Sequence, residues 1–461
     1  MKQDYDVLVV GGCTAGMYFA GLMARQGYRT LVMEKDGEEE IGRRYDIFHL
    51  AANTFDRFGI AKPQPGDADF VRTFTRNVSL SALNRYPKTT RNEIVVLHRH
   101  EFMLRMKTWA QEQGAGVQTG ARFDTLTYDA QGKISGAVYT HLGEQITVSA
   151  RLVADASGIP AVARTSLPEG YGIENFKLGP KDMFYVVLYY VGLTEPEKDR
   201  ITEGVGWPYY KAWKAPQHDP DGAILGVGAN LSYEYAEACF QRFAERIPLP
   251  PYTLQHTEYG CTPYRRPPYS FVADGFVALG DAACLANPFS GEGVTAAWLQ
   301  AGIAAQEAGL VMKNGSYPTK AALWAVNKRY YYAQGAEFAQ LLSMLSGALA
   351  CSPEENDYEF SQSIIFKGDD ETTHGSLPGK LFKGLLTGKM RISTLVNLLG
   401  AAGAGGKMLR HYRAYPDSEA GYDAWAKKSD ALWGSARGMA DEAEKDFIAV
   451  KAKKETKGRQ L

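Results

Sequence analysis

Apolar positions first gather in a short unbroken run, Asp6-Val-Leu-Val-Val10, cut off by Gly11-Gly12-Cys13-Thr14-Ala15-Gly16. A β-branched run of this length predicts a buried strand, Met17 to Arg25 predicts a helix packed on a sheet, and Tyr28 to Met33 predicts a second strand that ends at Glu34. Strand, glycine turn, helix, strand and acid is the order of a dinucleotide-binding unit. In such a unit a helix N-terminus meets a pyrophosphate and the acid accepts hydrogen bonds from a ribose.

The pattern then weakens. Residues 37–90 predict few regular elements, whereas Glu93 to Leu97 reads as a strand leading into a helix from Glu101 to Gln113. Alternation returns in Arg122 to Tyr128, Ile134 to Thr140 and Gln145 to Val153, which predicts a small antiparallel sheet with turns at Gln131-Gly132 and Leu142-Gly143. Asp155-Ala-Ser-Gly158 follows. Between about 170 and 270 aromatic-rich strands, Met183 to Leu193 and Ala223 to Leu231, alternate with proline-rich stretches and predict an inserted lobe. The chain returns to an apolar strand, Phe276 to Leu279, then Gly280-Asp281-Ala-Ala283, Asn287-Pro-Phe-Ser-Gly-Glu-Gly293 and a charge-free helix from Val294 to Gln306. The remainder is helical.

Composition narrows the class. The 461 residues carry 51 Lys+Arg against 52 Asp+Glu, so bulk charge gives no reason to expect a nucleic-acid partner. The first residues, MKQDYDVLVV, lack a basic leader followed by a long apolar stretch, and the charge-free run from Ile392 to Gly406 is too short to span a bilayer. Five cysteines without paired zinc spacing predict a reducing, cytoplasmic setting and no metal site. Near-zero net charge conceals two blocks: residues 354–371 hold seven acids and one Lys, and residues 376–416 hold seven Lys or Arg and no acid. The basic block reads either as a surface for an acidic electron carrier or an anionic lipid, or as a solvated helical face neutralised by the acids before it.

The N-terminal hexad with Glu34, Arg99 ahead of a helix, Asp155 to Gly158 and the 280–293 segment resemble the para-hydroxybenzoate-hydroxylase-type FAD fold. Within it, the Asn-Pro-x-x-Gly-Glu-Gly form and Trp213-Lys-Ala-Pro216 with Gly226-Val-Gly228 look most like the geranylgeranyl reductase group. The resemblance implies an α/β protein: a Rossmann-like FAD-binding domain of glutathione-reductase type (1–170 plus 270–310), an inserted antiparallel β-sheet substrate lobe (171–269) and a helical C-terminal part (311–461). For the cofactor it implies Gly11, Gly12, Cys13, Thr14, Ala15 and Gly16 at the diphosphate, Glu34 with Lys35 at the adenosine ribose, and Arg99 and Asp155 nearby. Gly280 and Asp281 would reach the ribitol or diphosphate, and Gly291, Glu292, Gly293 and Val294 would bring a helix N-terminus to the flavin, with Pro288 and Phe289 lining the ring. Tyr210, Trp213 and Pro216 are the expected substrate contacts. Cys13 stands where the family has its second glycine, which implies a shifted loop or weaker FAD binding. Lys211 and Ala215 replace two bulky residues of the reductase motif, which implies a differently shaped pocket.

The implied activity is an FAD-dependent reductase saturating carbon–carbon double bonds of an apolar, isoprenoid-type molecule. Its electrons would come from NAD(P)H or a small redox protein, since no second dinucleotide fingerprint is present, and a peripheral membrane visit suits such a substrate. No residue is fixed as proton donor; His49 and Tyr210 are the candidates. Rival readings are a flavin monooxygenase or halogenase on the same scaffold, and a flavin-binding electron carrier without its own substrate.

Overall fold

The computed structural model describes residues 4–43, 47–194, 200–204, 210–246, 251–371, 375–436, 441 and 443–449. The strand Val7–Val10 is buried along its whole length, as a parallel strand covered on both faces must be. It lies mid-sheet between Thr30–Met33 and Leu152–Asp155, paired in parallel with both. Gly116–Gln118 extends one edge and Phe276–Ala278 with Val272–Ala273 the other, giving six strands. The helix Thr14–Arg25 packs against the helices Arg99–Glu112 and Val294–Met312.

Three antiparallel strands, Ala121–Tyr128, Ile134–His141 and Glu144–Ser149, form the expected small sheet. The run read as one strand from Gln145 to Val153 is two, because the chain crosses at Ala150 and enters the parallel sheet at Leu152.

Residues 37–90 depart from expectation. They contain the strand Ile47–Ala51, the helix Ala52–Phe58, the strand Phe70–Leu80 and the start of Lys88–His98. These three strands join the inserted lobe in one eight-stranded sheet, next to Arg200–Gly204, Tyr210–Pro216, Gly222–Asn230, Met183–Leu193 and Tyr252–Pro263. The pairing of Arg200–Gly204 with Phe70–Leu80 is parallel; every other neighbour is antiparallel. A boundary at residue 171 therefore divides a continuous sheet. These strands were hard to read because the hairpin arms are polar on their outer faces and pair with a segment more than a hundred residues away.

Alternation separates this sheet's two faces. Val187, Val191, Leu225 and Val227 pack beneath the helix Tyr233–Arg246, through Tyr235, Cys239 and Phe240. The other face carries Phe74, Val186, Leu188, Trp213 and Ile224 and turns toward the six-stranded lobe.

The C-terminal helices are continuous with the main core. Tyr331 stacks on Tyr415, with Tyr412 and Trp425 packed edge-on against them, and the Tyr415 hydroxyl donates to the Tyr269 carbonyl at 2.8 Å. Ala336–Ala348 runs along Ile392–Arg413 at very close range: a Cβ on Gly405 would come within 2.3 Å of Met344.

Candidate functional site

A cavity of about 970 Å³ lies between the parallel sheet's C-terminal edge and the inner face of the eight-stranded sheet. That edge is where ligands bind in open α/β sheets.

At one end of the cavity the chain backbone itself is the wall. Gly11 has φ +100°, and a Cβ there would stand 2.5 Å from the Ala156 carbonyl oxygen. A Cβ on Gly16 would lie 2.1 Å from the Gly11 carbonyl oxygen, so the first helical turn closes onto the strand end only because both residues are glycine. The helix Thr14–Arg25 has no side-chain cap and no acid in its first turn, so its N-terminus keeps its attraction for an anion. Cys13 turns its thiol to donate to the Ala156 carbonyl at 3.0 Å, which accommodates a side chain in a turn normally made of glycine. Desolvation pushes this thiol up to about 11, so it stays neutral and is no nucleophile.

Glu34 sits at the end of its strand with one carboxylate oxygen accepting from the Gly12 N–H at 2.6 Å and the other from the Asp36 N–H at 2.8 Å. Both bonds hold the carboxylate at the cavity edge beside Lys35. Gly12 and Gly16 themselves do not line the cavity; they permit the approach of those that do.

Opposite, the strand Phe276–Ala278 runs into the turn Gly280–Ala283, which presents Asp281 to the cavity. Burial raises the Asp281 carboxyl to about 6, with Arg99, also on the cavity wall, opposing the rise and Glu292 adding to it. Two buried side chains that the sequence reading passed over hold this turn. Gln300 accepts from the Gly280 N–H at 3.1 Å and donates to the Ala278 carbonyl at 2.8 Å. Arg164 donates to the Ala282 carbonyl at 2.8 Å. Their only sequence signal is polarity inside otherwise apolar stretches.

Asp155 does not reach the cavity. It is fully buried and accepts from the N–H groups of Ser157 and Arg164, fixing the turn from below.

The loop 287–293 is shaped by Asn287, whose side-chain oxygen accepts from the N–H groups of Phe289 and Ser290, and by Gly291 at φ +76°. Gly291, Glu292, Gly293 and Val294 line the cavity; Gly293 is the N-cap of the helix Val294–Met312, and Glu292 just before it accepts from the Thr295 N–H at 2.7 Å. Pro288 and Phe289 are not on the cavity wall; Phe289 packs outward against Phe366, with ring centroids 5.6 Å apart.

The far wall is the apolar sheet face. Trp213 lies flat across the neighbouring strand because its register partner is Gly226, where a Cβ would be 2.1 Å from the indole. Phe184 likewise lies over Gly228, two residues along that strand from its register partner Asn230, where a Cβ on Gly228 would be 2.1 Å from the ring. Lys211 lies on this wall, one strand repeat from Trp213. Pro216 stands off the wall, its carbonyl 3.4 Å from Nε2 of His49, which does line it. The side chain of Tyr210 lies outside the described residues. Among the described residues no group of His, Cys, Asp or Glu could hold a metal ion.

Bare amides at a helix N-terminus, a pinned carboxylate, a second helix N-terminus and a flat apolar wall fit a dinucleotide carrying a planar ring system. Residues 4–205 match the family described as "FAD binding domain". The chain is a flavoprotein, an FAD-dependent oxidoreductase. It is geranylgeranyl reductase-like in sequence and in fold. It is 23% identical to a digeranylgeranylglycerophospholipid reductase of Sulfolobus acidocaldarius, over 93% of this chain and 98% of that one. The solved structure of a geranylgeranyl bacteriochlorophyll reductase-like protein of Thermoplasma acidophilum superposes with a TM-score of 0.72 at 19% identity, covering 88% of this chain and 99% of that one. A flavin-dependent brominase shares the fold at a TM-score of 0.60 and 17% identity, covering 93% of this chain and 98% of that one.

Proposed function

We propose that the protein saturates carbon–carbon double bonds of an apolar, isoprenoid-type substrate. The observation that carries this reading is the continuous apolar wall of Phe74, Phe184, Val186, Leu188, Trp213 and Ile224 facing the glycine loop across one cavity. The likeness to a relative named for a digeranylgeranyl lipid supports it. Reduced FAD, when bound, supplies a hydride.

The chain's own residues do the rest. Cys13 and Thr14 offer backbone amides to the diphosphate, the Gly11 N–H being spent on the Met33 carbonyl at 2.8 Å, while Glu34 accepts from the ribose hydroxyls, and Asp281 and Arg99 hold the segment between. Glu292, whose carboxyl burial pushes up toward its neutral form, holds the Thr295 N–H, and the remaining first-turn amides of that helix stabilise the negative charge on the reduced ring. Trp213 and Phe184 orient an apolar chain and exclude water. His49, Lys211 and Cys261 are titratable side chains on this wall, and His49, steadied by the Pro216 carbonyl, is the proposed proton source for the second alkene carbon. The electron donor is NAD(P)H or a small redox protein.

Anaerobic photoreduction followed by addition of prenyl lipids, quinones, enoates or steroids tests this reading. Flavin reoxidation matched by formation of the saturated product is the expected result. Stoichiometric oxygen consumption with an oxygenated or halogenated product would overturn it in favour of the oxygen-using enzymes that share the scaffold. Reoxidation by another redox protein alone would mark an electron carrier.

A further inference from the structure

Exposed large apolar side chains concentrate in the two helices Leu377–Leu386 and Ile392–Arg413. Phe382 and Leu386 are 61% and 72% exposed, and Ile392, Val396 and Leu399 are exposed to a similar degree. On the second helix Ile392, Val396, Leu399 and Gly403 follow helical spacing along one stripe, and Lys407 and Arg410 continue it. The opposite stripe, Thr394, Ala401, Gly405 and Met408, is the buried one. Leu386 and Ile392 face outward at the two sides of the turn 387–391, so the apolar faces of both helices meet there.

The charge these two helices themselves carry is of one sign. Residues 376–416 contain no acid. Acids neutralise this region only in part: among the described residues Glu355 binds Arg391 and Glu337 meets Arg413, whereas Asp370 pairs with Arg91 and Glu371 with Lys88 on the far hairpin. Among the described residues Lys383, Lys389, Lys407 and Arg410 make no ion pair. The chain's own last residues, 450–461, are themselves rich in Lys and so do not complement it.

We propose that this helix pair is a monotopic docking surface for a bilayer with anionic headgroups. Phe382, Leu386, Ile392 and Val396 enter the acyl boundary, and Lys383, Lys389, Lys407 and Arg410 meet the lipid charge. No helix of the described residues is long and apolar enough to cross a membrane, so the contact is superficial. The surface also adjoins the site. Tyr358 packs on Gly384 of the first helix, and on the same short helix Phe360 packs on Phe366, which touches Phe289 in the loop 287–293. The inference stands on the surface alone and does not depend on the proposed substrate.

Cosedimentation of the full-length, flavin-loaded protein tests it, with vesicles of phosphatidylcholine alone and of phosphatidylcholine mixed with phosphatidylglycerol. The expected result is binding to the mixed vesicles, weakened by high salt. Lys383→Gln with Lys389→Gln should reduce partitioning about 25-fold at low salt. Phe382→Ser, Leu386→Ser and Ile392→Ser should each reduce it about tenfold. Flavin absorbance and melting temperature should stay unchanged, because all five side chains are exposed. Wild-type protein that stays in the supernatant with both vesicle types would refute the proposal, as would binding indifferent to every substitution. A dimer abolished by the apolar substitutions, without vesicle binding, would assign the surface to a second copy instead.

Discussion

Gly226→Ala probes the substrate wall without touching the cofactor loop. The new Cβ would lie 2.1 Å from Cε2, 2.4 Å from Cζ2 and 2.5 Å from Nε1 of Trp213, whereas carbon atoms pack at about 3.5–4.0 Å. The ring must therefore retreat by more than about 1 Å. Register cannot relieve the clash, since a one-residue slip would turn the whole strand's apolar set to the other face. Trp213 already borders the cavity, and a retreat into it narrows the pocket where an apolar chain would lie. Overpacking of this kind costs about 1–3 kcal/mol and should lower the melting temperature by roughly a few degrees. If the wall orients substrate, reoxidation of the reduced protein by substrate should slow by about tenfold or more. Flavin content should be unchanged. Adding Trp213→Leu should recover most of the lost stability, an interaction of about 0.5–3 kcal/mol in a double-mutant cycle of thermal melts. Unaltered melting and kinetics in Gly226→Ala, strictly additive double-mutant energies, or loss of flavin would each refute this account of the wall.

Three further outcomes follow from the same geometry. Gly11→Ala puts a side chain at φ +100° against the Ala156 carbonyl, and should give colourless or weakly yellow protein on purification, read as the absorbance ratio of flavin to protein. Asp281, raised from 3.8 to about 6 by burial, stabilises the cofactor-free fold at acid pH, and that contribution is lost as pH rises through about 6. Asp281→Asn should thus melt higher than wild type at pH 7 when free of flavin, yet titrate with FAD more weakly. Glu355 shows the opposite sign. Burial disfavours its charge, but hydrogen bonds from Arg391, the Ser352 N–H and Thr394 outweigh that and hold the carboxyl down at about 2. Its contribution is present above about pH 4.5 and lost as pH falls toward 2, so Glu355→Gln should flatten acid denaturation in that window, measured by circular dichroism.

The cofactor end of the site was legible in one dimension because its contacts are local or enforced by glycine. The Glu34 carboxylate closes on Gly12 within a single strand–helix–strand unit, and the loop at Gly11 leaves no room for a Cβ. Pro288 and Asp155 were placed by motif alone, and a motif does not say which way a side chain points: one lies off the cavity wall and the other beneath it.

Amino-acid order by itself determined the parallel dinucleotide unit, its acid, the glycine-bearing turns at 280 and 291, and the opposite charge blocks. These depend on neighbours a few dozen residues apart and on backbone conformations that few residue types adopt. Tertiary structure alone decided that residues 47–98 complete the substrate sheet, that Arg164 and Gln300 hold the Asp281 turn, and that the acids at 370 and 371 pair with the hairpin rather than with the basic helices. Each of these joins segments more than a hundred residues apart or meets across a packed core, where pairing is selected by the burial of whole faces rather than by any local pattern. The apolar stripe on 382–399 belongs with them, because its exposure became visible only once the opposite stripe was buried.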